Sequence, residues 1–144
     1  MKKKPIRPRR RPSKSKGMSL VDELLRDGRS VDAMYQLLAM ADVDPKQALI
    51  PKRLAMIFEQ QGRELDALRQ LDRVIGLGAA DASIWKTTGK LLLRLNEPAQ
   101  AIGAFQNSIK LDPSDAEVHH ELARSFYKLG DVESAVQPLE MSTT

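Results

Sequence analysis

Few side chains in this sequence could support catalysis. His119 and His120 are adjacent, and neighbouring residues of a helix point about 100° apart, so both rings cannot readily reach one metal ion. The chain contains no cysteine, which excludes disulfides, thiolate metal sites and cysteine nucleophiles. Neither Ser13 nor Ser15 has a neighbouring base. We therefore expect no catalytic residue, no metal site and no cofactor, and predict that this chain alone is not an enzyme.

Gly76 and Gly78 form a short Gly-x-Gly pattern, as found in glycine-rich phosphate-binding loops. Such a loop follows a strand and needs a third glycine at a fixed spacing. Here the glycines end a segment with helical periodicity, and the third glycine is missing. We interpret them as a helix stop.

Charge is distributed unevenly along the chain. Residues 1–17 hold nine basic residues and no acidic ones: Lys2, Lys3, Lys4, Arg7, Arg9, Arg10, Arg11, Lys14 and Lys16. Residues 18–144 hold fourteen basic and all nineteen acidic residues, a net charge of −5. We predict that residues 1–17 form a disordered basic tail, because they lack apolar periodicity. The tail could tether the protein to nucleic acid or an anionic surface, or it could simply aid solubility.

The remainder of the chain repeats itself every 34 residues. One column holds residues that tolerate the left-handed conformation ending a helix: Gly28, Gly62, Asn96 and Gly130. A second column is alanine throughout: Ala33, Ala67, Ala101 and Ala135. Large apolar residues form a third column: Leu37, Leu71, Phe105 and Leu139. Several columns that share one period indicate a repeat architecture of helical pairs.

The third unit, from Ala82 through Trp85, Gly89 and Phe105 to Pro113, resembles the tetratricopeptide repeat family. The resemblance implies an all-α solenoid of about four helix-turn-helix units, wound as a right-handed superhelix. We place the units at about 18–47, 48–81, 82–115 and 116–144, the last one incomplete. The predicted helices are 18–27, 30–42, 48–61, 64–77, 82–95, 98–111, 116–129 and 132–141, and Pro138 is expected to kink or fray the last one.

In this family the first helix of each pair lines a concave groove, which implies a peptide-binding site. The residues expected along it are mostly basic: Lys52, Met56, Lys86, Lys90, Leu93, Arg94, His120, Arg124, Tyr127 and Lys128. We predict an adaptor or scaffold that holds an acidic or extended peptide there by charge-assisted hydrogen bonds. The alternative is a solvated face, where lysine and arginine are simply good helix formers.

Two other functions stay open. The chain could be the N-terminal repeat region of a larger enzyme such as a transferase, or a tether acting through its basic tail. Self-association could cover the incomplete last repeat. No apolar run approaches the roughly 18 residues of a membrane span, so we expect a soluble, cytoplasmic protein.

Overall fold

The computed structural model describes residues 14–142, which form eight α-helices. Their bounds are α1 (Lys14–Arg26), α2 (Ser30–Val43), α3 (Leu49–Gln60), α4 (Glu64–Gly76), α5 (Ala82–Arg94), α6 (Pro98–Leu111), α7 (Ala116–Lys128) and α8 (Val132–Ser142). Each helix packs against the next one in the chain, and α5 also contacts α7. The described part of the chain is thus the predicted all-α solenoid of four helical pairs.

The turn within each pair is set by the predicted left-handed residue. Gly28, Gly62 and Gly130 have φ angles of +73°, +72° and +80°, and Asn96 has a φ of +60°. In the third pair the Asn96 N–H donates to Leu93 and the Glu97 N–H donates to Leu92, which satisfies the last free carbonyls of α5. The same two bonds recur at the other three turns. The sequence prediction of these turns is confirmed.

The buried side chains fall into two clusters. The first joins α1 to α4 through Val21, Leu37, Leu54 and Leu71, together with Leu91 of α5. The second joins α5, α6 and α7 through apolar residues that include Leu92, Leu93, Phe105, Val118 and Leu122. A pair of helices cannot bury its apolar side alone, so these clusters extend from each pair into its neighbours.

Helices α5 and α6 pack closely at Gly89. A Cβ atom placed on Gly89 would lie 2.5 Å from one atom of the Phe105 ring. Phe105 has no exposed surface, so its ring fills the space that any other residue at position 89 would need. The missing side chain at Gly89 therefore allows the close packing of α5 on α6.

The start of the first helix differs from the prediction. Helix α1 begins at Lys14 rather than at residue 18, so residues 14–17 are helical and belong to the first repeat, not to a disordered tail. The physical reason is packing: Gly17 is buried, and a Cβ there would lie 3.0 Å from Met40 of α2. Residues 1–13 lie outside the described residues.

Helix α8 runs through Pro138 to Ser142, close to the predicted range of 132–141. Within residues 14–142, no helix is long and apolar enough to cross a membrane.

Candidate functional site

The first helices of the four pairs, α1, α3, α5 and α7, lie side by side in one layer. Ion pairs join each neighbouring couple: Arg53 of α3 with Asp22 of α1, and Arg94 of α5 with Glu59 of α3. Lys90 of α5 pairs with Glu117 of α7. We call the exposed side of this layer the first-helix face, and it carries most of the predicted groove residues.

The strongest charge cluster on this face lies between α5 and α7. The Lys86 Nζ atom lies 2.9 Å from Asp115 Oδ2 and 2.6 Å from Glu117 Oε2. Lys90 Nζ lies 2.8 Å from Glu117 Oε1, so one carboxylate receives two ammonium groups. These hydrogen bonds, from Lys86 first and Lys90 second, lower the pKa of Glu117 from 4.5 to about 2. The hydrogen bonds that Lys86 donates to Glu117 first and Asp115 second raise the pKa of Lys86.

The other ion pairs on this face are looser. The guanidinium of Arg53 lies 3.2 Å from Asp22, and that of Arg94 lies 3.5 Å from Glu59. Arg124 donates to Glu121 at 3.1 Å within α7. Each pair has at least one side chain that is more than 40% exposed, so each contributes about 0–1 kcal/mol to stability.

The first-helix face is less basic than the sequence predicted. Five carboxylates pair with basic groups on it: Asp22, Glu59, Asp115, Glu117 and Glu121. They offset all but two of the seven basic residues that α3, α5 and α7 contribute. Among the described contacts, Lys52 and Lys128 are the two that form no ion pair. The available positive charge is thus concentrated at these two lysines.

A cleft of about 280 Å³ lies between α3 and α5 on the same face. Its lining includes two cations, Lys52 and Arg53, two carboxylates, Glu59 and Asp81, the apolar side chain of Met56 and the hydroxyl groups of Ser83 and Thr87. Both carboxylates already have partners, because Glu59 pairs with Arg94 and Asp81 accepts a hydrogen bond from the Ile84 N–H. Met56 is 52% exposed although it is a large apolar residue. Such a mixture can hold an apolar side chain of a ligand and bond its polar groups at the same time.

One predicted groove residue belongs to the core instead. Leu93 is 6% exposed and lies in the same buried cluster as Val118 and Leu122 of α7. The next repeat covers this position, which the sequence pattern did not reveal. The other predicted groove residues keep exposed or half-buried side chains: Lys52, Met56, Lys86, Lys90, Arg94, His120, Arg124, Tyr127 and Lys128.

The two adjacent histidines have different surroundings. His119 is buried, and its Nε2 atom lies 2.8 Å from the carbonyl oxygen of Pro113. That oxygen can only accept, so Nε2 of His119 donates. His120 is exposed on the first-helix face. Among the described residues, no three His, Cys, Asp or Glu side chains are grouped so that they could hold a metal ion.

Sequence reasoning missed Asp22 and Asp115 as components of this face. The pairs that cross between helices join residues about one repeat apart, such as Lys90 with Glu117 and Lys86 with Asp115. Opposite charges at nearly the repeat spacing were therefore the available signal. Of the predicted tail residues, Lys14 and Lys16 lie in α1, and seven lie outside the described residues: Lys2, Lys3, Lys4, Arg7, Arg9, Arg10 and Arg11.

Comparisons with known proteins agree with this geometry. Residues 87–142 match the family model described as tetratricopeptide repeat. Over 102 residues the chain is 33% identical to DnaJ homolog subfamily C member 3 of Rattus norvegicus, covering 71% of this chain and 20% of that protein. It is 28% identical over 108 residues to Protein FlbA of Caulobacter vibrioides, covering 75% of this chain and 17% of that one. The chain thus spans a fifth or less of the length of these relatives.

Solved structures share the fold at low sequence identity. The structure entitled "YrrB: a TPR protein with an unusual peptide-binding site" superposes with a TM-score of 0.82 at 14% identity, over 88% of this chain and 66% of that one. A structure of MamA also superposes with a TM-score of 0.82, at 18% identity, over 92% of this chain and 77% of that one. At such identities the likeness concerns the fold alone.

Proposed function

We propose that this chain, a member of the tetratricopeptide repeat family, binds an acidic or extended segment of a partner protein along its first-helix face. The fold supports protein–protein interaction in general. The specific ligand chemistry is inferred from the side chains of this chain.

The cleft between α3 and α5 is the observation that carries the proposal. It offers an exposed apolar side chain, Met56, beside Lys52, an ammonium group with no ion pair among the described contacts. A partner segment with an apolar residue next to a carboxylate would match both. Exposed apolar groups of this kind serve as anchors when a ligand covers them. YrrB, which shares the fold, is described as having a peptide-binding site.

The ion pairs of this face determine which cations a partner would engage. A ligand carboxylate at Lys86 or Lys90 would have to displace Glu117, which already bonds both ammonium groups. Displacement forfeits the existing hydrogen bonds, so it adds little net affinity. We therefore place the partner's carboxylates at Lys52 and Lys128, which have no such competitor.

The test compares peptide binding by the wild type and two charge reversals. Lys52→Glu replaces an attractive group of the cleft by a repulsive one, and Lys110→Glu makes the same charge change at an exposed site on α6, a second helix. Fluorescence anisotropy with an acidic peptide library should show Lys52→Glu binding about tenfold more weakly, a difference of about 1.4 kcal/mol. Lys110→Glu should bind like the wild type.

Equal affinities of all three proteins would refute binding at this cleft. Reversal of Lys86 and Lys90 is a poorer test, because it also breaks the pairs with Glu117 and confounds binding with stability.

Four expectations from the sequence stay predictions: a cytoplasmic location, tethering through the basic tail, self-association through the last repeat, and membership of a larger enzyme.

A further inference from the structure

Helix α2, the second helix of the first pair, carries an exposed row of apolar residues. Val31, Tyr35 and Leu38 are spaced so that they lie on one side of the helix. They are 53%, 65% and 42% exposed. Ala33 and Leu37, on the opposite side, have no exposed surface. Helix α2 is thus apolar towards the core and again towards solvent, and we call Val31, Tyr35 and Leu38 the α2 stripe.

The inner repeats show that this exposure does not depend on a missing neighbour. The same positions hold Leu65, Arg69 and Asp72 in the second repeat, and Ala99, Gly103 and Gln106 in the third. Both of these repeats have another repeat packed on each side, yet all six residues are exposed. Packing of one repeat on the next therefore leaves these positions on the surface. Of the four repeats, only the first fills all three with large apolar side chains, and a contiguous exposed apolar patch is typical of an interaction site.

A helix is the form of ligand that fits the α2 stripe. The backbone groups of α2 are hydrogen-bonded within the helix, so they offer no partners to the backbone of an extended segment. An extended ligand would therefore bury backbone groups of its own without partners. A helical ligand satisfies its own backbone, and its side chains can pack between residues spaced three and four apart.

The charge around the α2 stripe is acidic. Residues 30–44 contain three aspartates and no lysine or arginine. Arg29, which comes just before them, already pairs with Asp32 at 2.9 Å. Asp42 follows Leu38 by one helical turn, is exposed and forms no ion pair among the described contacts. A lysine or arginine of the ligand would therefore be attracted to Asp42.

Two occupants from the chain itself match the α2 stripe less well. A symmetric contact between two copies would bring two acidic helices together, because residues 30–44 contain no cation. Residues 1–13 are basic, but Met1 and Ile6 are their only large apolar side chains apart from proline. These two cannot cover three apolar residues, so a separate partner protein fits better.

We propose that the α2 stripe binds a short amphipathic helix of a partner protein. The apolar side of that helix contacts Val31, Tyr35 and Leu38, and a lysine or arginine beside it pairs with Asp42. This site goes beyond the cleft between α3 and α5, because it lies on a second helix and takes a ligand of opposite charge. The chain can thus hold two partners at once, an acidic segment on the first-helix face and a basic helix on α2.

The probe is a labelled synthetic peptide of about 18 residues, long enough to form a helix. It is built from leucine, alanine and lysine, with the leucines along one side and the lysines flanking them. A second peptide has glutamate in place of every lysine, and a third has the residues of the first in scrambled order. Fluorescence anisotropy should show the full chain binding the lysine peptide at least fivefold more tightly than the scrambled one.

The first variant removes an apolar contact. Leu38→Gln introduces the residue that the third repeat has at this position, Gln106, and should weaken binding of the lysine peptide about fivefold. Leu65→Gln is the matched control, because Leu65 is 60% exposed on α4 of the second repeat. It makes the same chemical change outside the α2 stripe and should bind within twofold of the wild type.

A charge swap tests the role of Asp42. Asp42→Lys should bind the lysine peptide about tenfold more weakly than the wild type does, and the glutamate peptide more tightly. Adding Leu38→Gln should cancel the gain for the glutamate peptide, which distinguishes the α2 stripe from the cleft between α3 and α5. A misfolded variant would lose affinity for both peptides, so a gain identifies the ion pair itself.

Several outcomes would overturn the proposal. They are equal affinities for the lysine and scrambled peptides, unchanged affinity of Leu38→Gln, and no gain for the glutamate peptide in Asp42→Lys. Sedimentation that shows dimers of the chain, dissociated by Leu38→Gln, would assign the α2 stripe to a second copy. A free peptide of residues 1–13 that displaces the lysine peptide at equal concentration would assign it to the chain's own segment. Lys52→Glu should bind the lysine peptide like the wild type, so this test and that of the cleft can fail separately.

Discussion

Replacement of Gly89 by alanine should destabilise the protein, although alanine is the better helix former. The added Cβ would lie 2.5, 2.7 and 2.8 Å from three carbon atoms of the Phe105 ring. Real Cβ atoms essentially never show contacts below 3.0 Å, so the ring or a helix must move. Phe105 is fully buried and has no exposed side towards which to move freely.

The expected magnitude is the difference of two opposing terms. Overpacking a core costs about 1–3 kcal/mol, and three close contacts with a fully buried ring place this variant near the upper value. Alanine gains about 1 kcal/mol over glycine inside a helix. The net loss is about 2 kcal/mol in the free energy of unfolding.

Thermal unfolding followed by circular dichroism would measure this loss. Gly103→Ala in α6 is the matched control, because a Cβ there has no atom within 4 Å. It should gain about 1 kcal/mol, so the two variants should differ by about 10 °C in Tm. A Gly89→Ala protein that melts at or above the wild-type temperature would refute the packing argument.

A second change provides a rescue. The second repeat fills the same two columns with Ala55 and Leu71, both buried. Adding Phe105→Leu to Gly89→Ala recreates that combination in the third repeat. The two changes should couple favourably by about 1–2 kcal/mol, and simple additivity would contradict a direct contact between the side chains.

Two further predictions concern acid stability and the left-handed turn. The pKa of Glu117 is lowered to about 2, so its ion pairs stabilise the fold above pH 4.5, and this contribution is lost as the pH falls from 4.5 towards 2. Between pH 4.5 and 2 the free energy of unfolding of Glu117→Gln, measured with urea, should therefore fall by about 0.5–1 kcal/mol less than that of the wild type. The expected difference is this small because Glu117 is half exposed. The control Glu23→Gln, at an exposed site of α1, should behave like the wild type. Asn96 has a φ of +60°, so Asn96→Ala should cost about 1 kcal/mol while Asn96→Gly should not, and equal Tm values for these two variants would contradict the role of the turn.

Most of the fold could be predicted from the sequence because it depends on local properties repeated at a fixed period. The left-handed residues determined where each first helix ends, and all four turns were located correctly. The start of α1 was placed at residue 18 by composition, since the basic residues before it resembled a tail. The 34-residue period predicts the start of α1 correctly. The second unit starts at residue 48, and one repeat earlier is residue 14, where α1 begins.

The candidate site was predicted less completely, because exposure and charge pairing depend on neighbouring helices. The spacing along α5 assigns Leu93 to the groove, but in the structure it is buried in a cluster that includes Val118 and Leu122 of the next repeat. The balance of charge predicted for the first helices included Glu59, Glu117 and Glu121 but omitted two further carboxylates, Asp22 and Asp115. Asp22 and Asp115 come from other repeats, so their distances to Arg53 and Lys86 require the packing of one pair on the next.

The sequence by itself determined the number of helical pairs, the turns between their helices and the small residues at their contacts. These follow from backbone conformation and side-chain volume, which are properties of single residues and their spacing. Only the tertiary structure decided which charges remain available and which apolar residues remain uncovered. Tyr127 and Leu93 occupy the same column, yet one is exposed and the other buried, because burial is decided by what packs on a surface.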